Sequence, residues 1–215
     1  MTMKLYGNDL SPYVARCRMA FLAKGLNTDL FEAPGGSVKS DAYSKMNPMQ
    51  KMPTLEVDGW YLPESAVILE YIEDTNPKPA LRPDDPKQRA QMRLVGRVAE
   101  LYVITSFGPL FGQMRAPQRD QAVVDKALAE TDKALNWLEA VIGDKGYAVG
   151  NKLTLADCTV VPILFFVTTM LPNFGGEPFK GRPKLKSYWD RIAKTPEAEQ
   201  TLAQMKEGLA KFRGR

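Results

Sequence analysis

A chain of 215 residues, 44% hydrophobic and 25% charged, has ordinary globular composition and room for one large domain or two small ones. It contains no histidine, which excludes a Ser-His-Asp or Cys-His nucleophile pair, any zinc site needing imidazole and the usual general base near neutral pH. The net charge of +4 could attract anions, but basic residues alternate with acidic ones and form no basic run, which argues against a nucleic-acid partner.

Cys17 and Cys158 lie far apart and belong to no metal-type spacing. Reduced thiols, a cytoplasmic location and no bound metal are therefore expected. No uninterrupted apolar run has the length of a bilayer span, so no membrane association is expected. Met1-Thr2-Met3-Lys4-Leu5-Tyr6 lacks a basic segment leading into a long apolar core, so no secretory signal is expected either.

In chain order, Lys4-Leu5-Tyr6 reads as a short strand. Residues 12–24 form a helix with Val14, Cys17, Arg18, Phe21 and Leu22 at helical spacing, ended by Gly25. Residues 28–32 read as a second strand, Pro34-Gly35-Gly36 as a loop, and residues 41–46 as a short helix that stops before Asn47-Pro48. Thr54-Leu55-Glu56-Val57 alternates as a strand and returns through Asp58-Gly59, a strong hairpin turn, into Trp60-Tyr61-Leu62. A helix follows from Ser65 to about Asp74. This βαβαββα order gives a mixed four-stranded sheet with helices on its faces.

Residues 78–86 are proline-rich and polar and read as a linker. It separates an N-terminal domain at 1–77 from an all-helical domain at 87–215. Residues 87–114 carry a long 3.6-residue periodicity that Gly108-Pro109 should kink. Residues 118–142 carry another, with Val124, Leu128, Leu135 and Leu138 on one stripe. Thr154-Leu155-Ala156-Asp157 is a capping box opening a helix to Met170 that is apolar all round and hence central. Residues 183–193 and 196–212 finish the chain as surface helices.

Three sites could carry chemistry. Ser11 precedes the first helix and Pro12 suits its first position. A helix cap is a sufficient reason for that serine. The place also lies at the carboxyl end of the first strand and at a helix N-terminus, where an anion such as a thiolate is favoured. Pro53 cannot donate to a ladder and belongs at a strand start. A cis Met52-Pro53 bond would turn the Met52 backbone outward toward a ligand's main chain. Glu64-Ser65 opens a helix with a carboxylate and a hydroxyl, and again a plain cap pair is the alternative.

Ser11-Pro12-Tyr13, Pro53 before its strand, Glu64-Ser65, and Gly150-Asn151-Lys152-Leu153-Thr154-Leu155-Ala156-Asp157 together resemble the cytosolic glutathione transferases over nearly the whole chain. The resemblance implies an α/β thioredoxin-like N-terminal domain, an all-α C-terminal domain and a homodimer. It assigns Glu64 and Ser65 to the γ-glutamyl end of glutathione, Met52 beside Pro53 to the cysteinyl unit, and Lys51 and Lys39 to the glycine carboxylate. Neither Ser11 nor Val14 is a cysteine, so dithiol exchange is excluded there. The resemblance is to the serine-type classes, in which Ser11 would stabilise the glutathione thiolate as the catalytic residue, with Tyr6 as the rival activator. A hydrophobic electrophile would lie against Tyr13 and, after the linker, Tyr102, Thr105, Ser106, Phe107, Phe111 and Met114; interhelical packing is the alternative for these aromatics, and Arg115 reads as a solvated surface residue that could touch an acidic substrate. Cys17 and Cys158 read as packing residues. A glutathione-dependent isomerase of maleyl-type acids and a non-catalytic ligand- or partner-binding protein are the other readings.

Overall fold

The structure is a computed structural model. It describes every residue except Met1, Thr28, Lys145 and Arg215, and the backbone only of Arg213. Two units result, residues 1–81 with 195–215, and residues 82–194.

The first unit runs β1 (Met3–Tyr6), α1 (Pro12–Ala23), β2 (Leu30–Phe31), a 3-10 turn (Pro34–Gly36), α2 (Asp41–Ser44), β3 (Thr54–Val57), β4 (Trp60–Pro63) and α3 (Ser65–Thr75). Strand order is β2-β1-β3-β4, parallel between β1 and β2 and antiparallel elsewhere. This is the thioredoxin-like βαβαββα sheet expected. Parallel neighbours need a crossover, which α1 supplies. Asp58 and Gly59 take φ of 47° and 86°, the two positive values of a tight hairpin turn. β2 is shorter than the alternation over 28–32 predicts, and Thr28 lies outside the described residues. Leu5, Leu55 and Val57 of the sheet close over Val14, Cys17 and Phe21 of α1 and Ile68 and Ile72 of α3 as one apolar core.

Composition marks residues 78–86 as a linker, yet the unit extends to Leu81. Buried Lys24 at the end of α1 reaches Glu73 of α3 at 2.5 Å, and its ammonium also donates to the carbonyls of Asn76 (2.7 Å) and Pro79 (2.6 Å). The Glu73 carboxylate accepts the Leu81 N–H at 3.1–3.2 Å. A buried charge needs this many partners, and satisfying them fastens residues 76–81 down.

The second unit is helical: α4 (Pro86–Val98), a wide π-type turn (Ala99–Val103), α5 (Ile104–Gln113), α6 (Gln121–Val141), α7 (Leu155–Met170), a 3-10 turn (Leu171–Phe174) and α8 (Pro183–Ile192). The irregularity in the first long helix falls at 99–103. Gly108-Pro109 is absorbed within α5, so the π-type turn, rather than the proline, interrupts the ladder. The last helix, α9 (Pro196–Arg213), follows α8 in sequence but packs on α1 and belongs to the first unit. Ala198, Leu202, Met205 and Leu209 are its buried stripe.

By length and composition two helical stretches could cross a membrane, Pro86–Gln113 and Leu155–Phe174, contrary to the expectation from uninterrupted apolar runs. Burial accounts for the second, 83% of whose most apolar window is inside the protein at a mean hydropathy of 1.8. It is the central helix, as an all-round apolar surface requires. Its first turn is anchored by Asp157. That carboxylate accepts the Thr154 N–H (2.8 Å) and O–H (3.0 Å), the Ala148 N–H (2.7 Å) and the Tyr188 O–H (3.1 Å). Burial nevertheless pushes its pKa up to about 6, with those hydrogen bonds pulling the other way.

Candidate active site

Strand register decides which distant residues meet. Tyr6 pairs with Phe31 on one side and Thr54 on the other, and Thr54 pairs with Pro63. This row is the last across the sheet. Beyond it lie the loop from Gly7 to Ser11, the turn ending in Pro53, and Glu64 at the head of α3. Three segments far apart in sequence therefore open at one end of the sheet, beyond the carboxyl end of β1.

Ser11 is set by its own loop. A Cβ on Gly7 would lie 2.4 Å from a Val14 methyl carbon, so only glycine lets the chain leave β1 so close to α1. The Asn8 amide oxygen then accepts the N–H groups of Leu10 (3.1 Å) and Ser11 (2.9 Å), a side-chain-closed turn. Ser11 has extended backbone angles, and its Oγ accepts the Val14 N–H at 3.4 Å. That cap uses an oxygen lone pair and leaves the hydroxyl proton to be donated. Cap and thiolate donor are compatible roles of one atom. The Asn8 amide nitrogen donates to the Met52 sulfur at 3.1 Å, joining this loop to the next.

The Met52-Pro53 peptide is cis. Beneath it lies a buried polar knot. The Lys51 carbonyl accepts from the Tyr43 hydroxyl (2.8 Å) and the Asn47 amide (2.7 Å). Both groups also reach the Thr54 hydroxyl, at 2.9 and 3.3 Å. Tyr43, Asn47 and Thr54 are buried and hold the Lys51–Pro53 backbone in place. Their signal in the sequence is faint, since Asn47-Pro48 reads only as a helix stop. Lys39 and Lys51 are exposed, and the Lys39 ammonium lies 3.4 Å from the Gln50 side-chain oxygen.

Glu64 is exposed, with φ of 69° and ψ of 101°, and its side chain makes no cap bond to α3. Holding a non-glycine residue there costs about 1–3 kcal/mol, so a simple cap pair does not explain it. Ser65 is buried. Its Oγ accepts a hydrogen bond from Nη2 of Arg16, and its carbonyl lies 3.8 Å from the Cys17 sulfur. Arg16 is a residue to which the sequence gives no special signal. It is 2% exposed, and its guanidinium carbon lies 5.4 Å from the centre of the half-buried Tyr13 ring. A permanent cation thus sits at the head of α3, where the helix field already favours an anion.

Tyr6, the rival to Ser11, has its hydroxyl engaged elsewhere. The Tyr6 hydroxyl donates to Glu56 at 2.7 Å, and burial first, then this bond, pushes its pKa up to about 12. Burial likewise pushes the Cys17 thiol up to about 12 despite Arg16, so Cys17 stays a thiol and packs in the core. Among the described residues, no three His, Cys, Asp or Glu side chains converge as a metal would need.

The residues predicted for an electrophile in the helical unit have different fates. Phe107 is fully buried and meets Phe111 edge-on, with ring centres 5.1 Å apart. Phe111 also meets Phe166 at 5.2 Å and stays partly exposed. Tyr102, also exposed, instead meets Trp137 in a tilted contact with ring centres 4.6 Å apart. The Ser106 hydroxyl donates to the Val103 carbonyl at 2.9 Å. Phe107 is therefore a core residue, and the exposed aromatic surface is that of Phe111 and Tyr102.

Comparison with known proteins agrees with this geometry. Residues 5–80 match the family model of the glutathione S-transferase N-terminal domain, and residues 79–196 that of the C-terminal domain. Probable maleylacetoacetate isomerase 1 of Drosophila melanogaster is 32% identical over 68% of this chain, which spans only 61% of that protein's length. A glutathione S-transferase of Pseudomonas putida is 30% identical over 95% of this chain and 87% of its own. Among solved structures, glutathione S-transferase I bound with lactoylglutathione superposes with a TM-score of 0.78 at 25% identity, covering 95% of this chain and all of that one. With both domain models matched in order and the serine, cis-proline and Glu-Ser segments at one sheet end, the chain belongs to the glutathione S-transferase family.

Proposed function

We propose that this protein is a glutathione transferase that ionises the glutathione thiol at Ser11 and directs it onto the carbon of a hydrophobic electrophile. The observation that carries the reading is the Tyr6–Thr54–Pro63 row, which gathers Ser11, Met52-Pro53 and Glu64-Ser65 at one sheet end. The cysteinyl unit pairs with the Met52 backbone. The γ-glutamyl end meets Glu64 and the Ser65 segment over Arg16. Lys39 and Lys51 face the glycine carboxylate. The Ser11 hydroxyl donates to the sulfur, the thiol proton leaves to solvent, and the α1 N-terminus stabilises the negative charge. The thiolate then forms the bond to carbon while the electrophile's leaving group departs with its bonding pair, halide from an aryl halide or the ring oxygen of an epoxide, which takes a proton from solvent. Positioning and charge stabilisation supply the rate.

Within the helical unit, the electrophile's apolar surface is proposed at Tyr102, Ser106 and Phe111, with Phe107 behind Phe111. A homodimer is part of this proposal, with the exposed Trp60 of β4 and Val67 of α3 as apolar side chains that an interface would cover. Two free, buried cysteines suit a reducing cytoplasm, and a detoxifying role is part of this proposal.

Isomerisation of maleyl-type acids is the second reading, favoured by the isomerase relative. It uses the same thiolate, adding to and leaving a double bond, and needs cations for the substrate carboxylates. One experiment tests both. Glutathione is titrated into the protein while ultraviolet thiolate absorbance is followed, and aryl halides, epoxides, peroxides and maleyl acids are then screened. Thiolate formation with turnover of an electrophile supports the transferase. Turnover of maleyl acids alone supports the isomerase. Binding without ionisation or turnover leaves a ligand-binding protein on this fold.

A further inference from the structure

The loop that carries Ser11 is gripped from outside its own sequence neighbourhood. Gly208 lies in the interior of α9, a place where glycine is disfavoured by its backbone freedom. Here it is required, because an added Cβ would stand 2.9 Å from the Leu10 nitrogen and 3.0 Å from the Asp9 carbonyl carbon and Cβ. Two of these three neighbours are backbone, so they cannot swing aside as a side-chain tip can. One turn on, the Lys211 ammonium lies 3.6 Å from one Asp9 carboxylate oxygen. Arg18 of α1 meets the other oxygen at 2.6 Å. Asp9 and Leu10 are therefore wedged between α9 and α1, immediately before the serine.

We propose that Gly208, with the Lys211–Asp9–Arg18 ion cluster, positions Ser11: the C-terminal helix sets the height of the loop and hence the aim of the Ser11 hydroxyl at the bound sulfur. This rests on Ser11 being the thiol's partner. Gly7 and Asn8 fix the curvature of the loop, whereas α9 fixes where its outer limb stops. The geometry is demanding, since a donor moved by a few tenths of an ångström leaves the range of a short bond to a charged acceptor. The residues on α9 do not touch glutathione in this proposal. They act through the backbone of residues 9–10.

The test is the pH dependence of kcat/KM for an aryl halide, together with the thiolate absorbance of bound glutathione, in Gly208→Ala, Lys211→Met, Lys211→Arg and Ser11→Ala. Gly208→Ala is expected to raise the apparent thiol pKa by about one pH unit, which lowers kcat/KM for the aryl halide about tenfold near pH 6.5 and far less at pH 9, with the glutathione KM within about twofold. Lys211→Met, on an exposed side chain that leaves the core intact, moves the profile in the same direction by roughly two- to threefold in rate, and Lys211→Arg restores it. A purely structural α9 would lower the melting temperature and leave the profile in place. Unshifted profiles in both Gly208→Ala and Lys211→Met, against a shifted one in Ser11→Ala, overturn the positioning role alone. An unshifted Ser11→Ala profile overturns the activation at Ser11 and this proposal with it.

Discussion

The buried guanidinium of Arg16 donates to the hydroxyl of Ser65, tying the second turn of α1 to the head of α3 across forty-nine positions of sequence. This bond joins the two helices at the end of the sheet where the tripeptide site is proposed. Ser65→Ala removes an acceptor from a buried cation and is expected to cost about 1–3 kcal/mol of stability, read from urea denaturation. It is also expected to weaken glutathione binding more than tenfold, read by calorimetry. Binding within twofold of the parent would detach this pair from the tripeptide site.

Ser11→Ala deletes one hydrogen-bond donor to a developing charge, a loss worth roughly 10²–10³ in kcat elsewhere. Turnover is expected to fall by about that factor near pH 6.5 while glutathione binding persists. The thiolate absorbance should vanish at that pH and return as pH approaches that of free thiols, ~8.5.

Tyr6→Phe serves as the control. The hydroxyl it deletes is engaged with Glu56 at 2.7 Å, so the variant is expected to keep its pH–rate profile. A stability loss near 1 kcal/mol is the expected cost of the lost bond. Collapse of activity in this variant would transfer the thiol's activation from Ser11 to the strand tyrosine.

Asp157 gives a pH signature with an unusual sign. Its folded pKa of about 6 stands above the ~3.9 of an unfolded aspartate. Between those values the unfolded chain has already released the proton that the native state retains, so this group's stabilising contribution is complete below pH 4. It is lost as pH rises through 6, by up to about 3 kcal/mol. Asp157→Asn should abolish that slope. It should also cost roughly 1–3 kcal/mol, because an amide nitrogen faces donors that need an acceptor. Thermal melts of both proteins at pH 4 to 7 measure the two effects.

Lys24 and Glu73 form a buried pair, so removing one partner strands the other. Lys24→Met is expected to cost about 3–5 kcal/mol and to free residues 76–81, seen as faster proteolytic nicking there. Replacing both, as Lys24→Met with Glu73→Gln, should recover part of that loss. No recovery would mean that the carbonyls of Asn76 and Pro79, rather than the ion pair, dominate the site.

Local chemistry made much of this protein legible as sequence. The Asp58-Gly59 hairpin, the Gly25 stop, the proline-led helices and the all-apolar α7 follow from rules acting over a few residues, and they suffice for a βαβαββα unit followed by helices. Ser11, Pro53, Glu64 and Ser65 stood out because each breaks or begins an element. What no local rule contains is the register that sets Tyr6 against Thr54 and Thr54 against Pro63. The same holds for the burial of Arg16, the knot of Tyr43, Asn47 and Thr54, the separate fates of Tyr102 and Phe107, and the return of α9 to the first unit. Each depends on which surface a residue meets after the chain has closed on itself. Hydrogen-bond satisfaction and packing are properties of that closed volume, so an arginine, a glycine or a phenylalanine takes its role only there.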